Sequence, residues 1–178
     1  MRNLATLIAL VAIAVPLGSA AQTKHNSDAP VDFSADSGEL QDKAGKGILT
    51  GNVVVRQGEM TLTAARVIVT YSGQVINGAP AASRFDASGG VTVTRPDQIA
   101  KGQYGIYDVS RRVIIMLGAV TLAQGANVVK GNRLTMNLDT GKAVIDGSGV
   151  ASSAAPGGIK TAPGGRVSGR FSVPKRTQ

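Results

Sequence analysis

The sequence predicts an all-β chain, elongated and built from repeated units of about 29 residues. Three observations carry that prediction. Apolar side chains alternate with polar ones at period two over most of the chain, the signature of half-buried strands rather than of helices. Glycine is abundant, 23 in 178 residues, and falls between the alternating runs as turns and bends do. Two separate motifs also recur at one common spacing. A 29-residue unit is too small to bury its own apolar face, so units must stack along an axis, as a solenoid or as two facing sheets.

The first 21 residues stand apart. Met1-Arg2-Asn3 carries one positive charge, Leu4 to Leu17 is apolar or small apart from Thr6, and Gly18-Ser19-Ala20-Ala21 supplies small residues at a cleavage site. This three-part pattern is that of an export signal, so residues 1–21 are expected to be removed and the remainder exported. The apolar run is shorter than the ~20 residues a membrane span needs. An uncleaved anchor, as in a membrane-held relative, is the competing reading. Residues 22–30 are polar and read as a flexible lead, with His25 as a surface residue of that lead.

The repeat runs from Val31 to Val150, within a single domain expected at residues 31–154. One marker is a small residue followed by a polar pair and an alternating run: Ala64-Ala65-Arg66-Val67, Gly102-Gln103-Tyr104-Gly105 and Gly131-Asn132-Arg133-Leu134, with Ala35-Asp36-Ser37-Gly38 fitting loosely. Its small residues, at 35, 64, 102 and 131, are offset by 29, 38 and 29. The other marker, Gly-x-Val-x-apolar, places Val53, Val91 and Val120 at offsets of 38 and 29. Both markers contain the same nine-residue excess, which locates an insertion at Gln74 to Arg84. Gly51, Gly89, Gly118 and Gly147 are expected at bends.

Parity then assigns an inward face. Val53, Val55, Val91, Val93, Val120 and Leu122 share one side, as do Val67, Val69, Tyr71, Tyr107, Val109, Leu134, Met136 and Leu138. Asn52, Arg56, Thr70, Thr92, Thr94, Thr121, Thr135 and Asn137 face the other way, toward water. With three Phe, three Tyr and no Trp, the interior is a trough of mid-sized aliphatics. Either it packs shut on itself or it accepts an apolar guest.

Residues 155–178 repeat an Ala-Pro-Gly-Gly unit and read as a disordered basic tail. That tail explains the charge. The chain carries +8 overall, yet residues 22–154 hold thirteen basic and eleven acidic side chains while the tail holds five basic and no acidic ones. The body is therefore nearly neutral, and nucleic acid is not an expected partner. The tail is either a solubilising segment or a strip for anionic headgroups.

Chemistry is sparse. Cysteine is absent, which excludes disulfides, thiolate metal sites and a thiol nucleophile. One histidine cannot build a multi-imidazole zinc site. Asp36, Glu39, Asp42, Asp86, Asp97, Asp108, Asp139 and Asp146 are scattered singly in turn-like settings. No enzyme, metal or cofactor is expected.

Leu49-Thr50-Gly51-Asn52-Val53-Val54-Val55-Arg56-Gln57-Gly58, Leu62-Thr63-Ala64-Ala65-Arg66-Val67, Gly118-Ala119-Val120 and Lys130-Gly131-Asn132-Arg133-Leu134 resemble the OstA-like/LptA family of periplasmic lipopolysaccharide-transport proteins. The likeness covers about 120 residues; Ala65 departs from it where the family often has an acidic residue. It implies a twisted open β-jellyroll, a β-taco, whose trough shields the acyl chains of lipopolysaccharide or a related glycolipid. It further implies head-to-tail self-association and docking to an inner-membrane complex and an outer-membrane receptor with similar domains. The residues expected to line the trough are then Val53, Val55, Val67, Val69, Tyr71, Val91, Val93, Tyr107, Val120, Leu122, Leu134, Met136 and Leu138. The strands near Val31 to Leu40 and Ala143 to Val150 are expected at the two edges. A structural or adhesive secreted β-solenoid without lipid cargo is the alternative.

Overall fold

The computed structural model describes residues 25–73, 80–147 and 167–170. The expected signal at 1–21 and most of residues 155–178 lie outside them. Ten strands form one antiparallel sheet: β1 (Val31–Ser34), β2 (Ser37–Gln41), β3 (Lys46–Gln57), β4 (Met60–Ser72), β5 (Ala81–Arg95), β6 (Gln98–Asp108), β7 (Val113–Gln124), β8 (Asn127–Asn137), β9 (Ala143–Asp146) and β10 (Ser168–Arg170). From β3 to β9 each strand pairs with the next in sequence. Among the described residues the one helical turn is the 3-10 turn Asp42–Ala44.

The long strands do not lie flat. Each of β3 to β8 crosses a line of register shifts, where Gly51-Asn52, Gly89-Gly90 and Gly118-Ala119 bulge opposite single residues of the neighbouring strands. All six residues of these three pairs have positive φ, between 44° and 84°. A bulge bends its strand, and a row of aligned bulges bends the whole sheet. Gly89 shows why glycine is needed: at φ +84°, a Cβ there would stand 2.6 Å from the Ala65 Cβ. The residues opposite the corners are Ala65, Gln103 and Asn132, with Asp36 in the link between β1 and β2. Each directly follows a small residue of the first sequence marker, so the two markers meet along one line. Asp36 accepts a hydrogen bond from Asn52 Nδ2 (2.8 Å), and Asn132 Nδ2 donates to the Gly147 carbonyl (2.7 Å).

The corner divides the sheet into two halves. Half A contains β1, residues 53–57, 60–64, 91–95, 98–101, 120–124 and 127–131, and β10. Half B contains β2, residues 46–50, 66–72, 81–88, 104–108, 113–117 and 133–137, and β9. Each half is eight strands wide. The halves fold face to face around one apolar core, which draws Val53, Leu62, Val91 and Val120 from A and Val67, Phe85, Ile114 and Leu134 from B, all 0–1% exposed.

Two expectations require correction. Residues 25–30 are tied to the body instead of hanging free, and His25 is buried, because Gln57 offers partners for the segment's polar groups. Within the stretch read as a disordered tail, Ser168–Arg170 pairs with β8.

Candidate functional site

The interior between the halves collects eleven of the thirteen residues expected to line the trough. Val53, Val55, Val67, Val69, Val91, Val93, Tyr107, Val120, Leu134, Met136 and Leu138 are all buried in one cluster. Leu122 packs against it, half-buried. Tyr71 does not join them: it is the last residue but one of β4, beside a register shift, half-buried, and its hydroxyl donates to Asp42 (2.9 Å).

Several core residues escaped the parity argument. Ile114 and Met116 sit in the unbroken apolar run Val113-Ile114-Ile115-Met116-Leu117, where alternation carries no information. Phe85 directly follows the turn-rich insertion, where no repeat frame applied. It stacks on Tyr107 with centroids 6.1 Å apart. Leu62 and Ala64 were legible, since they alternate with Thr61 and Thr63.

Opposite the glycine corner the halves end in two rows of turns, and between these rows runs a slit. Its β3 end is sealed by polar groups. Tyr107, from half B, donates its hydroxyl to Gln57 Oε1, from half A. Gln57 Nε2 donates to the carbonyls of Ser27 (2.9 Å) and Ala29 (3.0 Å), and His25 Nε2 stands 3.4 Å from Gln57 Oε1. Arg112, on the far lip, forms ion pairs with Asp28 (2.7 Å) and Asp139 (3.3 Å). Residues 25–30 thus form a strap across the slit. Burial holds the His25 imidazole below its usual pKa and pushes the Tyr107 phenol up to about 12. Both groups are therefore neutral hydrogen-bonding elements of the seal at neutral pH.

Toward the β8–β9 end the slit opens into a cavity of about 480 Å³. Leu122 and Leu138 give it apolar walls; Arg95, Asp97 and Gln98 line one lip, and Asp139, Thr140 and Gly141 the other. Arg95 is buried and reaches across the interior, its guanidinium 3.8 Å from Met136 Sδ, with Gln98 Nε2 at the same distance from that sulfur. Arg95 Nε lies 3.9 Å from Asp97 Oδ1. The site is an apolar interior with a polar mouth. Among the described residues no group of three or more His, Cys, Asp or Glu is placed to hold a metal ion.

A single antiparallel sheet, folded on itself about an aliphatic interior and slit along one side, defines a protein of the open-jellyroll class. The chain belongs to the LptA/LptD N-terminal-domain family of lipopolysaccharide transport proteins, whose model matches residues 32–142. An uncharacterised protein of Rhizobium meliloti is 35% identical over 150 residues, covering 82% of this chain and 81% of that protein. The lipopolysaccharide export system protein LptH of Pseudomonas aeruginosa is 25% identical over 155 residues, covering 82% and 85%. The crystal structure of LptH, described as the LptA-homologous periplasmic component of the lipopolysaccharide transport device, shares the fold. It superposes with a TM-score of 0.67 at 22% identity over 84% of this chain and 99% of that one.

Proposed function

We propose that this protein is exported to the periplasm after loss of residues 1–21 and there carries lipopolysaccharide, or a related glycolipid, between the two membranes. Its part is passive. The acyl chains occupy the interior between the sheet halves while the sugar and phosphate groups remain in water at the slit. Copies stack head to tail and meet similar domains of an inner-membrane complex and an outer-membrane receptor, so that the trough continues from one to the next.

The observation that carries this reading is the slit, sealed by hydrogen bonds at one end and open beside Leu122 and Leu138 at the other. Exposing a ~12-carbon chain to water costs on the order of 10 kcal/mol, and aliphatic walls are sufficient to avoid that cost. No reacting group is required. Val53, Val55, Val67, Val69, Val91, Val93, Tyr107, Val120, Leu122, Leu134, Met136 and Leu138 are the proposed acyl contacts, with Leu122 and Leu138 reached first from the open end. The structural alternative draws support from the same core, whose centre is packed to 0–1% exposure.

The two readings separate by photo-crosslinking with purified lipopolysaccharide. A photoreactive side chain at Leu122 or Leu138 should give adducts that unlabelled lipid competes away, and one at the outward Thr121 or Thr135 should not. Labelling that is equal at inward and outward positions, or absent from a folded protein, would support the cargo-free solenoid.

A further inference from the structure

The described sheet begins and ends in split strand rows. At the start, β1 lies in half A and β2 in half B, with Ala35 and Asp36 turning the corner between them. At the end, β9 lies in half B and approaches the corner, where the Gly147 carbonyl meets Asn132. The half-A part of that last row is supplied by β10, from residues much later in the chain. Ser168, Gly169 and Arg170 pair with Lys130, Val129 and Val128, in the sense that a strand continuing β9 around the corner would take.

Strand direction makes this arrangement consequential. All neighbours in the sheet are antiparallel. In half B eight strands run from β2 to β9, so the two end strands point in opposite senses. A second copy in the same orientation therefore presents its β2 antiparallel to β9. Without β10, half A would have seven strands, and the incoming β1 would face β8 in parallel across a missing row. With β10 both halves are eight strands wide, and both joins are flush and antiparallel, the slightly stronger pairing.

The end rows also match in character. Of the six large apolar residues exposed among those described, Phe33 and Leu40 lie on the first row, Val144 lies on the last, and Val167 directly precedes β10. The first row carries Asp32 in half A, where the last row carries Arg170. The end strands are short, three to five residues each, yet they leave Phe33, Leu40 and Val144 exposed, apolar groups that sheet edges ordinarily avoid.

We propose that β10 is a docking strand, completing the half-A edge so that β1 of a second copy of this chain can add to it. This rests on the head-to-tail reading above and specifies the surface that it uses. Gly169 is the exposed point of the device. A Cβ there would stand 2.9 Å from the Val128 carbonyl oxygen and 3.3 Å from the Val129 side chain, so a larger residue prises β10 from β8 and leaves the core untouched.

The test is sedimentation equilibrium of the full mature chain, wild type against Gly169→Val, with circular dichroism melts to confirm that both fold alike. Self-association should weaken at least about tenfold in the variant. A second variant, Ser168→Cys with Lys130→Cys, exploits the absence of native cysteine. Oxidation should pin β10 to β8 and preserve or tighten association, and a photoreactive group at Phe33 should then label residues 168–170 of the neighbouring copy. If Gly169→Val tightens association, or the oxidised pair abolishes it, β10 obstructs the edge and the proposal is wrong. Equal association of all forms leaves head-to-tail stacking standing and removes β10 from it. No association by any form, the wild type included, overturns the stacking reading and this one together.

Discussion

The two ends of the slit are built from the same kinds of residue but behave differently. At the β3 end, Gln57 is a hub: it accepts from Tyr107, stands beside His25 and donates to two strap carbonyls, so its amide spans both halves and the strap. At the β8–β9 end, Gln98 and Arg95 reach across toward the weak acceptor Met136 Sδ at 3.8 Å, and a cavity remains beside them. A glutamine whose donors and acceptor are all engaged closes a slit. One directed at a thioether leaves it ready to part. The difference leaves one end closed by hydrogen bonds and the other open as a cavity.

The strongest way to break this contrast is to remove the hub. Gln57→Ala leaves the Tyr107 hydroxyl and the strap carbonyls without their partner and should cost about 3 kcal/mol in denaturant unfolding. It should also speed protease cleavage near His25. Gln98→Ala should cost less than half as much, and equal losses would erase the distinction between the ends. Tyr107→Phe keeps the ring stacked on Phe85 and removes one bond across the slit, for a loss of about 1 kcal/mol in the same measurement.

The smallest effect is the pH dependence of the seal. His25 has a folded pKa below its unfolded value of 6.5, because burial disfavours the charged ring. The unfolded chain therefore binds the proton first as pH falls. Stability contributed by neutral His25 is whole above pH 6.5 and is lost progressively as pH falls from there through the folded pKa. Melting temperatures from pH 8 to pH 5 should decline in the wild type and less steeply in His25→Asn. Parallel curves would show that His25 does not titrate within the seal.

Much of this architecture was legible in the sequence, and the rest was hidden for identifiable reasons. The strand period and the glycine marker located the corners at Gly51, Gly89 and Gly118, because few other residues tolerate positive φ beside so close a neighbour. Val93, Leu134 and Met136 could be placed inside because polar residues flank each of them. Ile114 could not, since every neighbour in its run is apolar. The seal was invisible: His25 lies 32 residues from Gln57 in a segment without periodicity, and only folding brings the two together. Nor could composition reveal β10, whose three residues pair through their backbone.

The strictly sequential pairing from β3 to β9 makes the chain a ruler. Each hairpin added to such a meander extends the interior by two strand spacings, roughly 10 Å, without disturbing the rows on either side. Eight rows span roughly 34 Å. In this architecture the number of hairpins encodes a distance, and the register shift at each corner marks it off row by row.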